Sequence, residues 1–342
     1  MVFLPISIPP KILIIGPSWV GDMVLAQSLF KILKIQQPNC RIDVAAPPWT
    51  IPLLDHMPEV DNVIPLPFKH KQFLLLERIK FGRSLRHERY TQAIILTNSF
   101  KSAILPFFAN IPQRTSFIGE MRYGLINDIR PLNKLNLPRT VDRFVILGLP
   151  FGISLPAKFP EPALVPNKNF AFATLKKHGL HSTSEKILGL CPGAEYGEAK
   201  CWPAEYYAEV ASDALAKGIQ VFLFGSLKDA SITNKINSLT GNKCLDLGGK
   251  TSLSEAINLI SLCDLVVSND SGLMHISSAL DKKLVAIYGS STPFHTPPMS
   301  SKAVVEYLNL ECSPCYKRVC PLTHLNCLKN IPSSRVIYEL YK

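Results

Sequence analysis

The sequence contains no run of about 18 consecutive apolar residues, so it predicts no membrane-spanning helix. Residues 1–10 are apolar but short, they lack a basic segment, and three prolines interrupt them, so we do not expect a secretory signal peptide. We therefore expect a cytoplasmic protein. A reducing compartment disfavours disulfide bonds, and the scattered cysteines are interpreted as small core residues.

Two familiar ways of binding a nucleotide are also missing. No Gly-x-Gly-x-x-Gly occurs, and the loop 16–22, which has the glycine spacing of a phosphate loop, carries Asp22 where that loop needs lysine. No Asp-x-Asp occurs either, although enzymes that hold a sugar diphosphate through a divalent metal commonly present such a pair. The sequence therefore predicts no catalytic metal and no other cofactor.

The 342 residues predict two domains, at roughly 100–200 residues per domain. Hydrophobic residues make up 47% and charged residues 18%, a composition that suits two buried cores. Each half opens with a continuous apolar run, at 11–16 and at 186–193, that ends in a glycine-bearing loop. Such runs are typical of strands buried on both faces of a parallel sheet. The proline-rich stretch 150–167 is the predicted linker.

Strand-like and helix-like segments alternate in both halves, which predicts an α/β fold with two Rossmann-like, doubly wound parallel-sheet domains. We place these domains at 1–160 and 161–330. Residues 331–342 form a predicted C-terminal helix, and one option is that it packs back on the first domain. In two facing sheets, a ligand cleft lies between the loops after the strands. The predicted strands are 41–46, 62–65, 93–96, 220–224, 265–268 and 283–288; the predicted helices are 22–35, 72–86, 204–217, 252–262, 273–280 and 333–341.

The formal net charge is +11, which favours an anionic partner unless the charge serves only solubility. The stretch 73–90 mixes five lysines and arginines with leucine and phenylalanine. It is either a domain helix with a solvated face or a segment that lies on an anionic membrane surface. Aromatic residues are not clustered with basic ones as a stacking platform requires, so we expect no nucleic-acid partner.

Asp22 ends the loop after the first predicted strand and starts the next predicted helix. A carboxylate at that position has two interpretations. It is a helix cap, whose charge the helix dipole favours, or it is a general base that faces the cleft and deprotonates a hydroxyl acceptor. The residues alone leave both open.

Residues 268–275 again join a strand to a helix. Asp270 and Ser271 can cap that helix, Gly272 permits close backbone approach, and His275 lies one turn further on. The segment is therefore either a simple capped turn or a diphosphate site on the free N–H groups of the helix start.

Lys200 lies in a long glycine-bearing loop after the first strand of the second half. It is either a solvent-exposed lysine or the cation that neutralises a departing diphosphate. In the second interpretation, Lys200 and the helix start at Ser271 take the role that a metal ion has elsewhere. At the end of the next strand, Ser226, Lys228 and Asp229 either contact a ribose or base or form a plain turn and cap.

A cysteine-rich segment follows near the C-terminus, with His324 inside it. Four thiols in so short a span either hold a structural Zn²⁺, or form a redox-sensitive cluster, or pack as free thiols; their spacing is not that of a regular zinc ribbon or finger. The four candidate ligands are Cys312, Cys315, Cys320 and Cys327.

Together these motifs resemble glycosyltransferase family 9, the heptosyltransferases of lipopolysaccharide inner-core assembly. The similarity runs from residue 11 to about residue 328. Its most specific parts are the loop 16–22, the Lys-Cys-Trp-Pro segment 200–203, the turn 224–229 and the motif 269–275. The cysteine-rich segment 312–328 is similar to one branch of that family.

The resemblance implies a GT-B fold and an inverting, metal-independent transfer of heptose from ADP-heptose. It implies that the N-terminal domain binds the lipid A-Kdo-heptose acceptor, with its first heptose as the target, and that the C-terminal domain binds the donor. A different inner-core acceptor is the alternative. The expected location is the inner face of the inner membrane, in peripheral contact.

The resemblance also assigns residues. Asp22 matches the family's proposed base. Position 271 is serine where many relatives have threonine, so the hydroxyl group is kept. Residues 195–199 depart from the hydroxyl-rich loop of some relatives. The matching donor contacts are Lys200, Asp270, Ser271, Gly272, Leu273 and His275, to which we add Ser226 and Lys228 as candidates.

Overall fold

The structure is a computed structural model, and it describes residues 9–68, 72–180 and 186–342. The chain divides into two compact units, Met1–Pro160 and Glu161–Lys342, and each contains a six-stranded parallel sheet. The predicted α/β fold with two parallel sheets is confirmed. Residues 1–8, which carry most of the signal-peptide argument, lie outside the described part. No helix in the described part is long and apolar enough to cross a membrane.

The sheet of the first unit has the strand order β3-β2-β1-β4-β5-β6. The strand order therefore reverses between β1 and β4, which is where ligands bind in open α/β sheets. Its strands are β1 (Lys11–Ile15), β2 (Arg41–Ala46), β3 (Asn62–Pro65), β4 (Gln92–Ile95), β5 (Gln113–Phe117) and β6 (Asp128–Arg130); its helices are α1 (Val20–Gln36), α2 (Ile51–Leu54), α3 (Leu75–Ser84), α4 (Phe100–Phe108) and α5 (Thr140–Gly148).

The long helix α1 packs against α5, at the end of this unit. Gly148 makes the close approach possible, because a Cβ there would lie 2.3 Å from Leu29 Cδ1. Leu29 is fully buried, so a side chain at position 148 would force this core to shift. The packing holds α1, and with it Asp22 in its first turn, in a fixed position.

Helix α3 is shorter than the predicted helix 72–86. Leu74 has φ 42°, in the left-handed region, so the helix begins only after it. Arg78 stabilises this start: its guanidinium donates to the carbonyl oxygens of Phe73 and Gln72, at 2.6 and 3.2 Å, and stacks 4.1 Å from the ring centroid of Phe68. These contacts come from tertiary packing, and apolar periodicity does not reveal them.

The sheet of the second unit has the order β12-β11-β10-β7-β8-β9, so its switch point lies between β10 and β7. Ser268 pairs with Cys191, so the loops that follow these two strands begin side by side. The strands are β7 (Ile187–Cys191), β8 (Gln220–Leu223), β9 (Leu245–Asp246), β10 (Leu265–Asn269), β11 (Lys283–Tyr288) and β12 (Ala303–Tyr307); the helices are α6 (Lys168–Lys177), α7 (Ala204–Ala216), α8 (Ala230–Leu239), α9 (Leu253–Ile260), α10 (Gly272–Ala279), α11 (Asn326–Lys329) and α12 (Ser333–Tyr341).

The final helix, α12, packs within the second unit, against α7 and β11. Val336 and Leu340 are buried in the same core as Trp202, whose indole N–H donates to the carbonyl oxygen of Ile331 at 2.9 Å. The sequence allowed 331–342 to pack on the first domain. The apolar face of α12 joins the core of the second unit instead.

Candidate active site

The switch point of the second unit is organised by Asn269, at the end of β10. Its side chain is fully buried and uses both ends of the amide. The oxygen accepts from the backbone N–H of Trp202 at 3.1 Å and from the Tyr207 hydroxyl at 3.0 Å, and the nitrogen donates to the carbonyl oxygen of Pro192 at 2.6 Å. Asn269 therefore fixes the loop after β7 against the end of β10. The sequence analysis did not assign it this role.

Lys200 and Asp270 meet at this point. Lys200 Nζ lies 2.5 Å from Asp270 Oδ2, and the two side chains are only 16% and 4% exposed. The hydroxyl of Ser291, in the loop after β11, donates to the same carboxylate oxygen. Lys200 is thus a partly buried cation with a fixed counter-ion, which removes the alternative of a fully solvent-exposed lysine. Ser291 was missed because nothing in its local sequence points to Asp270.

The start of α10 lies directly beside this ion pair. Ser271 is the N-cap residue, but its side chain makes no capping hydrogen bond, and Asp270 is engaged with Lys200. Helix α10 therefore begins without the side-chain cap that the sequence allowed. The first backbone N–H groups of a helix have no partner inside it, and with the helix dipole they favour an anion. Gly272 and Leu273 are the first two residues of this helix.

His275 lies one turn into α10 and is 5% exposed. Burial lowers its pKa to about 4; nearby Asp270 raises the pKa and Lys200 lowers it by smaller amounts. His275 is therefore neutral at neutral pH. Within the described part of the chain, its Nδ1 atom is buried with no hydrogen-bond partner. A buried imidazole nitrogen without a partner is costly, and it marks the place where a polar ligand group would be bound.

The turn after β8 forms a plain turn and helix cap, the simpler of the two interpretations of Ser226, Lys228 and Asp229. Asp229 accepts from the backbone N–H and the hydroxyl of Ser226, at 2.8 and 2.7 Å, and so forms the predicted cap. It also packs against Gly193, where a Cβ would lie 2.2 Å from the Asp229 carboxyl carbon. Lys228 forms an exposed ion pair with Glu195 in the loop after β7. These contacts bring the turn to the candidate site but leave Ser226 and Lys228 at its exposed edge.

In the first unit, Asp22 lies in the first turn of α1, at the carboxyl edge of β1. The N-cap residue is Trp19, so Asp22 is not itself the cap. The preceding loop is held by the indole N–H of Trp49, which donates to the carbonyl oxygen of Ser18 at 2.8 Å. Trp19 and Trp49 are about half exposed. A carboxylate at the positive end of a helix dipole is stabilised in its ionised, basic form.

The same edge of the first sheet is braced by Arg122, which the sequence analysis missed. Its guanidinium is fully buried and donates to Thr97 O at 2.8 Å, Ser102 Oγ at 3.1 Å and Ser116 Oγ at 2.7 Å. Burial lowers its pKa to about 10, so it stays charged at neutral pH. Arg122 ties the loop after β5 to the loop after β4, next to the switch point.

The cysteine-rich segment had three interpretations: a structural metal site, a redox-sensitive cluster or free thiols. Among the residues that the structure describes, no three His, Cys, Asp or Glu side chains are placed to hold a metal ion. Cys327 is buried on α11, whereas Cys312, Cys315 and Cys320 lie partly exposed in the preceding loop. Burial, and then the three other thiols, raise the pKa of Cys327 to about 11. All four are free cysteines, and Cys327 alone among them is buried.

Two units that each carry a six-stranded parallel sheet with helices define a class, the α/β architecture of GT-B glycosyltransferases. Residues 78–326 match the family model "Glycosyltransferase family 9 (heptosyltransferase)". The chain belongs to glycosyltransferase family 9.

Named relatives agree with this assignment. Lipopolysaccharide heptosyltransferase 2 of Salmonella typhimurium is 49% identical over 303 residues, which are 86% of this chain and 87% of that protein. The same-named protein of Escherichia coli K12 is 47% identical over 86% of this chain and 87% of its own length. The solved structure of E. coli ADP-heptose LPS heptosyltransferase II has a TM-score of 0.86 and 43% identity, with 97% of each chain covered. By contrast, E. coli lipopolysaccharide heptosyltransferase 3 is 24% identical over 83% of this chain and 85% of its own length.

Proposed function

We propose that this protein is a lipopolysaccharide heptosyltransferase II, which transfers L-glycero-D-manno-heptose from ADP-heptose to the first heptose of the inner core. The observation that carries the proposal is the buried Lys200 beside the uncapped start of α10. The identity of the substrates is supported by relatives of that name at 47–49% identity. A heptosyltransferase of type I or III, with another inner-core acceptor, is the alternative. It has less support, because the type 3 relative is only 24% identical to this chain.

The donor half of the proposal uses the second unit. The diphosphate of ADP-heptose lies on the N–H groups at the start of α10, near Gly272 and Leu273, with Lys200 as its cation. As the bond between the anomeric carbon and the diphosphate oxygen breaks, its electron pair goes to that oxygen, and both groups stabilise the charge. His275 Nδ1, buried and unpaired within the described chain, is available to a polar group of the donor. The chain supplies this positive charge itself, so we propose a transfer without a divalent metal.

The acceptor half uses Asp22. Its carboxylate takes the proton of the acceptor hydroxyl while that oxygen forms the new bond to the anomeric carbon, from the face opposite ADP. The products are the extended core with inverted anomeric configuration, ADP, and protonated Asp22. A positioned base typically contributes roughly 10²–10⁴-fold in rate.

We further propose that the protein works at the inner face of the inner membrane, because its acceptor carries lipid A. The start of α3 supports this, since Phe73, Leu74, Leu75 and Leu76 are 38–75% exposed on consecutive residues. Exposed apolar residues beside basic ones favour an anionic lipid surface. Lys80 and Arg83 are exposed further along the same helix.

The test is a transfer assay with three acceptors: truncated lipopolysaccharides that carry no heptose, one heptose or two. Each is incubated with the protein and ADP-heptose, with and without EDTA, and the products are measured by mass spectrometry. We expect the one-heptose acceptor to gain one heptose, equally in EDTA. Transfer only to the acceptor without heptose indicates type I, transfer only to the two-heptose acceptor indicates type III, and loss of transfer in EDTA contradicts the metal-free mechanism.

A further inference from the structure

The cysteine-rich segment is bound to the loop after β11, which is part of the candidate donor site. The hydroxyl of Ser313 donates to the carbonyl oxygen of Gly289 at 2.5 Å. The backbone N–H of Tyr316 donates to the carbonyl oxygen of Ser290 at 2.7 Å. The next residue of this loop, Ser291, holds the Asp270 carboxylate. The segment therefore supports one wall of the Lys200–Asp270 pair.

The same segment is bound to the loop after β7, which carries Lys200. The backbone N–H of Ala199 donates to the carbonyl oxygen of Arg318 at 3.0 Å. The hydroxyl of Tyr196 donates to the backbone carbonyl oxygen of Tyr316 at 2.5 Å. Gly197 allows the contact, because a Cβ there would lie 2.5 Å from the Arg318 carbonyl oxygen. Tyr316 itself has φ 53°, a left-handed conformation that a tyrosine rarely adopts. The backbone bonds on both sides hold it there.

These contacts place the side chains of Arg318 and Lys200 around the same aromatic ring, that of Tyr196. The guanidinium carbon of Arg318 lies 5.3 Å from the ring centroid of Tyr196, and Lys200 Nζ lies 5.1 Å from the same centroid. Arg318 is exposed, and within the described residues it forms no ion pair. The charge of Lys200, in contrast, is already matched by Asp270.

The charge balance favours a second cation beside Lys200 and the start of α10. A nucleoside diphosphate ester carries two negative charges, while Lys200 and Asp270 together carry none. The N–H groups of α10 supply only about half a positive charge. His275 is neutral at neutral pH, and the nearby Lys228 is paired with Glu195. Arg318, which contacts the same ring as Lys200, is thus a cation with no ion pair among the described residues.

We propose that Arg318 is a second phosphate-binding cation of the donor site and that the cysteine-rich segment exists to present it there. This inference rests on the proposed function, because it takes the ligand to be the diphosphate of a sugar nucleotide. The planar guanidinium can donate two parallel hydrogen bonds to a phosphate, and Tyr196 orients its plane.

The test compares ADP with AMP, because only ADP has the second phosphate. Binding of both nucleotides to Arg318→Ala, Arg318→Lys and the matched neighbour variant Lys317→Ala is measured by displacement of a fluorescent ADP derivative at fixed ionic strength. We expect Arg318→Ala to weaken ADP about 10-fold and AMP less than about 2-fold, since a charge-assisted hydrogen bond is lost. Arg318→Lys should restore part of the affinity, and Lys317→Ala should match the unmodified protein.

Two results overturn the proposal. One is an unchanged affinity of Arg318→Ala for ADP; the other is an equal loss for ADP and AMP, which means that Arg318 only shapes the loop. Transfer of heptose by the unmodified protein is measured in parallel. Its absence contradicts the proposed function, whereas the ratio of ADP to AMP affinity alone decides the role of Arg318.

Discussion

Replacement of Lys200 by methionine tests the buried ion pair and the donor site together. Methionine keeps the length of the side chain but leaves the Asp270 carboxylate, 4% exposed, with Ser291 as its remaining polar partner among the described residues. Removal of one partner of a buried pair typically costs roughly 3–5 kcal/mol of the free energy of unfolding. For a unit of this size, each kcal/mol lost from the free energy of unfolding lowers the melting temperature by about 2–4 °C. The melting temperature should therefore fall by roughly 6–20 °C.

The double variant Lys200→Met/Asp270→Asn separates stability from chemistry. It has no unpaired buried charge, so its melting temperature should recover most of the way to that of the unmodified protein. Turnover of ADP-heptose should stay about 10²–10³-fold lower in both variants, because the cation that stabilises the departing diphosphate is missing. The reasoning is refuted if Lys200→Met melts like the unmodified protein, or if the double variant regains turnover.

The remaining predictions concern Asp22 and His275. Asp22→Asn should lower turnover by about 10²–10⁴-fold while ADP affinity stays the same, as measured by steady-state kinetics and nucleotide displacement; near-normal turnover removes Asp22 from the role of base. The pKa of His275 is depressed to about 4 in the folded protein and lies near 6.5 in the unfolded chain. Its contribution to stability is therefore complete above pH 6.5 and is lost as pH falls towards 4, by roughly 3 kcal/mol. His275→Gln should flatten this part of the curve of unfolding free energy against pH, measured in urea; an unchanged curve contradicts the assignment.

The sequence predicted the centre of each sheet well, because β1, β7 and β10 are continuous apolar runs. It missed β5 and β6, which read Gln-Arg-Thr-Ser-Phe and Asp-Ile-Arg. Their polar side chains bond to each other within the sheet: Asp128 accepts from Thr115 at 2.8 Å and from Arg130 at 2.8 Å. Neither apolar periodicity nor strand propensity reports such side-chain bonds, of which the one from Thr115 to Asp128 joins the two strands.

The candidate site was predictable only to the level of individual loops. The sequence pointed to Lys200 and to Asp270, but their contact joins residues 70 positions apart and follows from strand order. It also gave no reason to connect Ser291 or Arg318 with them, because both lie in loops whose position depends on the whole sheet. The metal hypothesis for the cysteines arose from spacing, which does not show that Cys327 is drawn into the core by α11.

The central claim is that the start of α10 binds the diphosphate of the donor. The most direct measurement is a titration with ADP, observed through the backbone ¹H–¹⁵N resonances of isotope-labelled protein. We predict that the amides of Gly272 and Leu273 shift strongly with ADP and much less with adenosine, which lacks the phosphates. If ADP binds while these amides keep their positions and the largest shifts lie elsewhere, the donor site is not where we place it.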